Sequence, residues 1–384
     1  DWSTGEVVIS TAQSLMTNNR YRGEFDPTDF DLVISDEAHR SIGGNARAVF
    51  EYFTGYKVGL TATPKDYLKN VGDQDANTEK EFERRQLLDT YTTFGCQSGN
   101  PTYRYSLTDG VNDPKGPYLV NPKIIDARTE ITAQMLSDRG YAVHETTVEG
   151  VDIEAEFSGK DYEKKFTNEA TNQIMCQTFL DQAMTDPISG EVGKSLVFAV
   201  SQKHAEKLVD LLNRQAMERW PGRYQSDFAI QVTSNVQDAQ EYTTQFTYNS
   251  LRGKTSWLRE YDSSKARVCV TVGMMTTGYD CSDLLNVCFM RPVFSPSDFI
   301  QMKGRGTRLH KFTYVDYDND EQVVTADKEY FHLIDFFAVC EYFNETYDYS
   351  VPLAIPKKQV TTGVGEPGGN GGGAGELHAG DVVA

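Results

Sequence analysis

The sequence predicts an α/β chain of two parallel-sheet lobes, and three stretches carry that reading. Near the start, the apolar run Leu32-Val33-Ile34 ends on adjacent carboxylates, Asp36-Glu37, ahead of a turn containing Gly43 and Gly44. A short buried strand that hands polar residues to a turn suits an open parallel sheet, whose ligands gather at the carboxyl ends of the strands. A second such run, Val58-Gly59-Leu60, ends in Thr61-Ala62-Thr63-Pro64, where the proline stops a helix from following at once. The third is a strand-helix-strand rhythm, with Ser195–Ser201 strand-like, Gln202–Arg219 helical and Phe228–Val232 strand-like. Such a crossover implies parallel strands.

Taken in order, Glu6–Ser10 predicts a first strand and Ala12–Met16 a helix. Ser10 and Thr11 lie between them, where hydroxyls either cap the helix or face a ligand. Residues 66–150 are charged and turn-rich, punctuated by Gly95, Gly99, Pro101, Gly110 and Pro114, and read as a connection. From Asp161 to Met184, Phe166, Ala170, Ile174 and Phe179 recur near helical spacing and predict a packing helix. The second lobe adds strands at Ala266–Thr271, Asn286–Met290 and Phe331–Phe336, and the stretch to Tyr349 reads as helical. From Thr361 the composition turns Gly-rich, which predicts a flexible linker. The expected boundaries are 1–65 for the C-terminal part of a first lobe, 66–160 for the connection, 161–350 for the second lobe and 351–384 for the linker.

Composition narrows the function. A chain of 384 residues can bury a substantial core and suits two or three domains. Its six cysteines form no C-x-x-C pair, which suits reduced thiols in the cytoplasm. No run approaches the roughly 18 apolar residues of a membrane span, so no membrane partner is expected. The net charge of −19 argues against a generally basic nucleic-acid surface. A local strip runs the other way, because residues 291–311 hold Arg291, Lys303, Arg305, Arg308 and Lys311 against Asp298 alone.

The chemistry concentrates in few positions. Asp36 is placed to hold Mg²⁺ through its water shell and Glu37 to orient or deprotonate an attacking water, with His39 sensing the nucleotide state. The alternative is an Asp-Glu pair that only caps the next helix. Downstream, Gln301, Arg305 and Arg308 recur at i, i+4 and i+7, which puts them on one face if the helix runs through them. Guanidinium groups there could neutralise phosphate charge from an apposed lobe. A phosphate loop is not found. Gly193-Lys194-Ser195 has Ile188 where the first glycine belongs and a strand after it, and Gly253-Lys254-Thr255 has Tyr248 there. The chain opens on Asp1 with strand-like residues almost at once, so it is expected to be cut from something longer, with a phosphate loop upstream.

Asp36-Glu37-Ala38-His39, Thr61-Ala62-Thr63 and the Gln301–Arg308 segment, in this order, resemble motifs II, III and VI of superfamily 2 helicases and translocases. Ser10-Thr11-Ala12-Gln13 resembles motif Ib, and Thr271 through Gly278-Tyr279-Asp280 resembles motif V. Longer stretches, Asp89–Gly95, Pro101–Leu107, Phe198–Ala205, Val270–Asp280, Phe294–Gln301 and Asp335–Phe343, resemble the R (motor and endonuclease) subunit of type I restriction-modification enzymes. The resemblance implies two RecA-like lobes, ATP and Mg²⁺ as cofactors, double-stranded DNA as the track, and modification and specificity subunits as partners. It implies ATP-driven translocation, with cleavage by a nuclease domain outside this chain. By position it implies ATP coupling for His39, Thr61, Thr63, Gly278, Asp280 and Gln301, and DNA contacts for Thr11, Ser201 and Thr271. Asp280 is alternatively a turn or helix-cap residue. A repair or remodelling helicase, or a DNA-binding module without hydrolysis, are the other readings of the same motifs.

Overall fold

The computed structural model describes residues 5–41, 44–69, 79–128, 168–254, 258, 261–275, 279–316 and 322–346. Strands β1 (Leu32–Ser35) and β2 (Tyr56–Gly59) pair in parallel, with Leu32 opposite Tyr56 and Ser35 opposite Gly59. The larger sheet has six strands: β3 (Asn121–Asp126), β4 (Ser195–Phe198), β5 (Ala229–Gln231), β6 (Val268–Thr271), β7 (Asn286–Phe289) and, after an antiparallel hairpin of β8 (Lys311–Asp316) and β9 (Gln322–Asp327), β10 (Tyr330–Asp335). Their spatial order is β3-β10-β7-β4-β6-β5, all parallel.

Burial explains why the three central strands read as continuous apolar runs. Every residue of β4, β6 and β7 is buried, since helices cover both faces of a parallel sheet. The helix Glu169–Gln182 packs against the helix Gln202–Arg219, which lies on β5 and β6. Phe179, Leu208, Leu212, Phe246 and Phe331 from the surrounding elements close over Leu196, Phe198 and Phe289 in one core. The crossover from β4 to β5 skips a place, because β6 sits between them.

Buried polar struts hold the amino ends of these strands. Lys194 Nζ lies 2.9 Å from Asp283 Oδ1 and 3.1 Å from Oδ2, with Asn249 Nδ2 donating to the same carboxylate at 3.1 Å. Arg267 donates to Val192 O at 2.7 Å and to Asp186 Oδ2 at 3.3 Å, while the Tyr261 hydroxyl donates to Asp186 at 3.0 Å. Such pairs are tolerated inside only when nearly every lone pair and proton is used.

The structure departs from the sequence reading in four places. Glu6–Ser10 forms no strand, because among the described residues nothing pairs with it, and Val7 and Ile9 lie in solvent. β1 and β2 are strands but not buried ones, since Leu32, Ile34, Tyr56 and Val58 all face outward. Residues 121–126, expected in the connection, form the edge strand of the six-stranded sheet. The β8–β9 hairpin was not anticipated, although the alternation of Phe312, Tyr314, Val324 and Ala326 on one face, around an Asp-Asn turn sequence, is a hairpin signal. The described part of the 161–184 helix begins at Glu169 with Asn168 as its cap, and the Gly-rich tail lies outside the described residues.

Candidate functional site across two lobes

The first wall is the carboxyl edge of the β1–β2 pair. Leu60 N–H donates to Ser35 O and Ala38 N–H donates to Leu60 O, both at 2.9 Å, so the Asp36-Glu37 turn is pinned on either side. Within it, Glu37 adopts a φ of 47°. A non-glycine residue in that left-handed region costs roughly 1 kcal/mol or more and persists only where the surroundings impose it. Asp36 is exposed and accepts the Glu37 N–H at 2.9 Å. Glu37 is half-buried, and its Oε2 has no hydrogen-bond partner. Burial raises its pKa and Asp36 adds to the rise, while the Arg40 and Arg305 guanidinium groups work against it.

His39 stands behind this turn, buried, with Nδ1 2.8 Å from Thr61 Oγ1. Burial, then the charges of Lys65 and Arg40, push its pKa down to about 3, so the ring is neutral near pH 7. Its 3.4 Å approach to Glu37 is therefore a contact between an imidazole and a carboxylate, not an ion pair. Thr61 Oγ1 also accepts the Thr63 N–H at 3.0 Å. Glu37, His39, Thr61 and Thr63 thus form a single polar run.

The second wall is the helix Pro296–Gly304, capped by Ser295, whose hydroxyl accepts the Asp298 N–H at 3.3 Å, with Pro296 in the first turn where a missing N–H costs nothing. Gln301 is 5% exposed, and its Nε2 has no partner. Arg305 closes the helix, donating from Nε to Gln301 O at 3.3 Å and from Nη1 to Tyr279 O. Burial and the neighbouring Arg308 lower the pKa of Arg305, and Glu37 pulls the other way, which sets this guanidinium in the field of the first-lobe carboxylate. A direct bond joins the walls: the Ser297 hydroxyl donates to Thr63 Oγ1 at 2.8 Å.

The sequence-predicted residues do not all converge. Gln301 and Arg305 share the helix, but it stops at Gly304, so Arg308 is not on their face. The chain turns at Gly306, whose missing Cβ would lie 2.2 Å from the Phe331 ring. Arg308 instead donates to Asp280 Oδ1 at 3.0 Å, an exposed pair. Thr11 caps the helix Ala12–Met16 by accepting the Ser14 N–H at 3.1 Å, and Ser201 caps the helix Gln202–Arg219 by accepting the His204 N–H at 3.2 Å. Thr271 ends a central strand, wholly buried with its hydroxyl unpartnered, so the side chain is not available to DNA in this arrangement. Gly278 lies outside the described residues. The basic strip is partly consumed inside the chain, since Arg291 donates to Val272 O at 3.3 Å and Lys303 sits over the Phe299 ring. Ser297 escaped the sequence reading. Ser295-x-x-Asp298 marks it as a first-turn residue, but nothing local says which lobe it faces.

Among the described residues no group of three or more His, Cys, Asp or Glu side chains could cage a metal ion, and no helix is long and apolar enough to cross a membrane. The donor set fits a Mg²⁺ nucleotide all the same. Mg²⁺ bound to phosphates keeps several waters and needs only one or two carboxylates, which Asp36 can supply. The unpartnered Glu37 Oε2 and Gln301 Nε2 are an acceptor and a donor of the kind such a ligand would satisfy.

Comparison with known proteins agrees with this fold. The family described as type III restriction enzyme, res subunit, matches residues 1–66. The endonuclease subunit of the type I restriction enzyme EcoKI of Escherichia coli is 24% identical over 339 residues, covering 79% of this chain and 25% of that protein. The EcoAI endonuclease subunit, also from Escherichia coli, is 24% identical over 355 residues, covering 88% of this chain and 34% of that protein. A structure described as a fragment of an HsdR subunit from Vibrio vulnificus shares the fold at a TM-score of 0.50 and 23% identity, over 87% of this chain and 49% of its own. The chain spans between a quarter and about a third of the length of these two relatives. It is thus similar in sequence to endonuclease subunits of type I restriction enzymes and shares its fold with the HsdR fragment.

Proposed function

We propose that this chain is the motor segment of a type I restriction R subunit, hydrolysing ATP to move double-stranded DNA, with modification and specificity subunits as its partners. The observation that carries the reading is the 2.8 Å hydrogen bond from Ser297 to Thr63, which sets the helix of Gln301 and Arg305 against the Glu37 turn. A bound Mg²⁺ nucleotide would supply a polarised phosphorus and a leaving group stabilised by the metal. Asp36 would hold the metal's water shell, and Gln301 Nε2 would donate to a phosphate oxygen.

Glu37 would take the proton of the attacking water. Its burial brings the carboxyl nearer to neutral pH than a free glutamate, as a general base requires. Neutral His39 keeps that carboxylate from being quenched by an adjacent cation. Arg305, partly stripped of water and already anchored on Tyr279 O, would meet developing phosphate charge with little reorganisation. Arg308 and Asp280, paired and exposed, would couple the site to movement, and Thr11 and Ser201 remain candidates for the DNA backbone.

Arg305→Ala in the longest natural form of the protein tests the assignment. Loss of an arginine finger is worth about 10³-fold or more in turnover, and DNA-stimulated ATP hydrolysis should fall by that order with the fold intact by circular dichroism. Unchanged turnover would remove Arg305 from the chemistry.

A further inference from the structure

We infer that Ser297 is a positioning residue that signals lobe closure to the Glu37 turn, through its hydrogen bond to Thr63. The inference rests on the motor reading and assigns a role to a residue that lies in the Phe294–Gln301 stretch but has been given none by the motifs. Ser297 Oγ to Thr63 Oγ1, at 2.8 Å, joins residues 234 positions apart in the chain. Thr63 is 6% exposed, so its hydroxyl has few other partners to turn to. From Thr63 the hydrogen bonds continue through its N–H to Thr61 Oγ1 at 3.0 Å and then to His39 Nδ1 at 2.8 Å, and that ring packs 3.4 Å from Glu37 Oε2 as a contact, not a hydrogen bond.

On the other side, Ser297 stands in the first turn of the helix that presents Gln301 and ends at Arg305. At about 1.5 Å per residue the eight steps from Ser297 to Arg305 span roughly 12 Å of rigid helix. Phe299 and Met302 fix that helix on the second-lobe core. A shift of the helix toward or away from the first lobe therefore moves Arg305 and makes or breaks the Ser297 bond together. The bond forms only when the guanidinium is in place. The Glu37 turn, held at a positive φ, is the element with strain to release when the run is broken.

A direct test of the contact needs no nucleotide. In a Thr63→Cys, Ser297→Cys pair, mild oxidation should give an intramolecular disulfide, identified by peptide mass mapping. The locked protein should bind duplex DNA yet fail to turn over ATP until reduced, because such motors must reopen. The coupling is read in single variants of the longest natural form. Ser297→Ala should lower DNA-stimulated kcat by about fivefold, the worth of one neutral hydrogen bond, with KM for ATP and unstimulated turnover unchanged. Ser297→Thr should restore it by keeping the hydroxyl. A stimulated kcat for Ser297→Ala equal to wild type, or no disulfide in the double variant, overturns the role of Ser297 while leaving the motor reading standing. Absence of ATP hydrolysis in the wild type overturns both.

Discussion

β1–β2 and the six-stranded sheet are built from the same kind of strand and end in opposite surroundings. β4, β6 and β7 are buried at every residue, whereas Leu32 is 49%, Ile34 60% and Tyr56 85% exposed. The two walls of the site inherit that difference. Gln301 and Arg305 ride on a helix seated by Phe299 and Met302 on a complete core. Asp36 and Glu37 sit on a two-stranded ledge, secured by Leu60 N–H to Ser35 O, Ala38 N–H to Leu60 O and the His39–Thr61 bond. The difference lies in what holds each wall within this chain: a hydrophobic core seats the helix of Gln301 and Arg305, and backbone hydrogen bonds pin the Glu37 turn.

The second lobe should break hardest where its buried charges are paired. Asp283→Ala strands Lys194, 2% exposed, without its counter-ion, and removing one partner of a buried pair costs about 3–5 kcal/mol. Denaturant unfolding should show that loss, whereas Asp36→Ala, exposed on the ledge, should move the midpoint little.

Hydrogen exchange sharpens the contrast without mutation. Amides of β1 and β2 should exchange about tenfold faster or more than those of β4, β6 and β7, since opening the ledge exposes little buried apolar surface. Equal protection in both sheets would contradict that difference.

A smaller effect gives the second lobe a pH dependence of its own. Val200 N–H donates to His204 Nδ1 at 3.1 Å, which leaves the proton on Nε2 facing Asn172 Oδ1 at 3.2 Å. Burial, with Lys207 adding, lowers the His204 pKa from about 6.5 to about 4. The unfolded chain takes up a proton that the folded chain refuses, so this contribution to stability is whole above pH 6.5 and is lost as the pH falls from 6.5 toward 4. Unfolding midpoints measured across that window should fall less steeply in His204→Gln.

How much was legible follows the same difference. The second lobe could be read from its sequence because full burial makes β4, β6 and β7 unbroken apolar runs, and the helix Gln202–Arg219 carries its own cap in Ser201. The first lobe misled because Leu32, Ile34 and Val58 look like core residues, and a local pattern cannot say whether anything covers them. Asp36, Glu37, Thr61 and Thr63 could be singled out in the sequence because they follow strand ends. Arg308 was misplaced because helical spacing was carried past Gly304, where the helix ends. The Ser297–Thr63 bond had no local signature, being a contact between lobes 234 residues apart.

The most direct test of the central claim, that Glu37 is the base of a DNA-driven ATPase, is steady-state ATP hydrolysis by the longest natural form with and without duplex DNA, for wild type and Glu37→Gln. Removing a positioned base costs about 10²–10⁴-fold, so the wild type should be stimulated by duplex and the variant should lose turnover while still binding DNA. Hydrolysis by Glu37→Gln at the wild-type rate, or duplex binding with no hydrolysis by either protein, would contradict it.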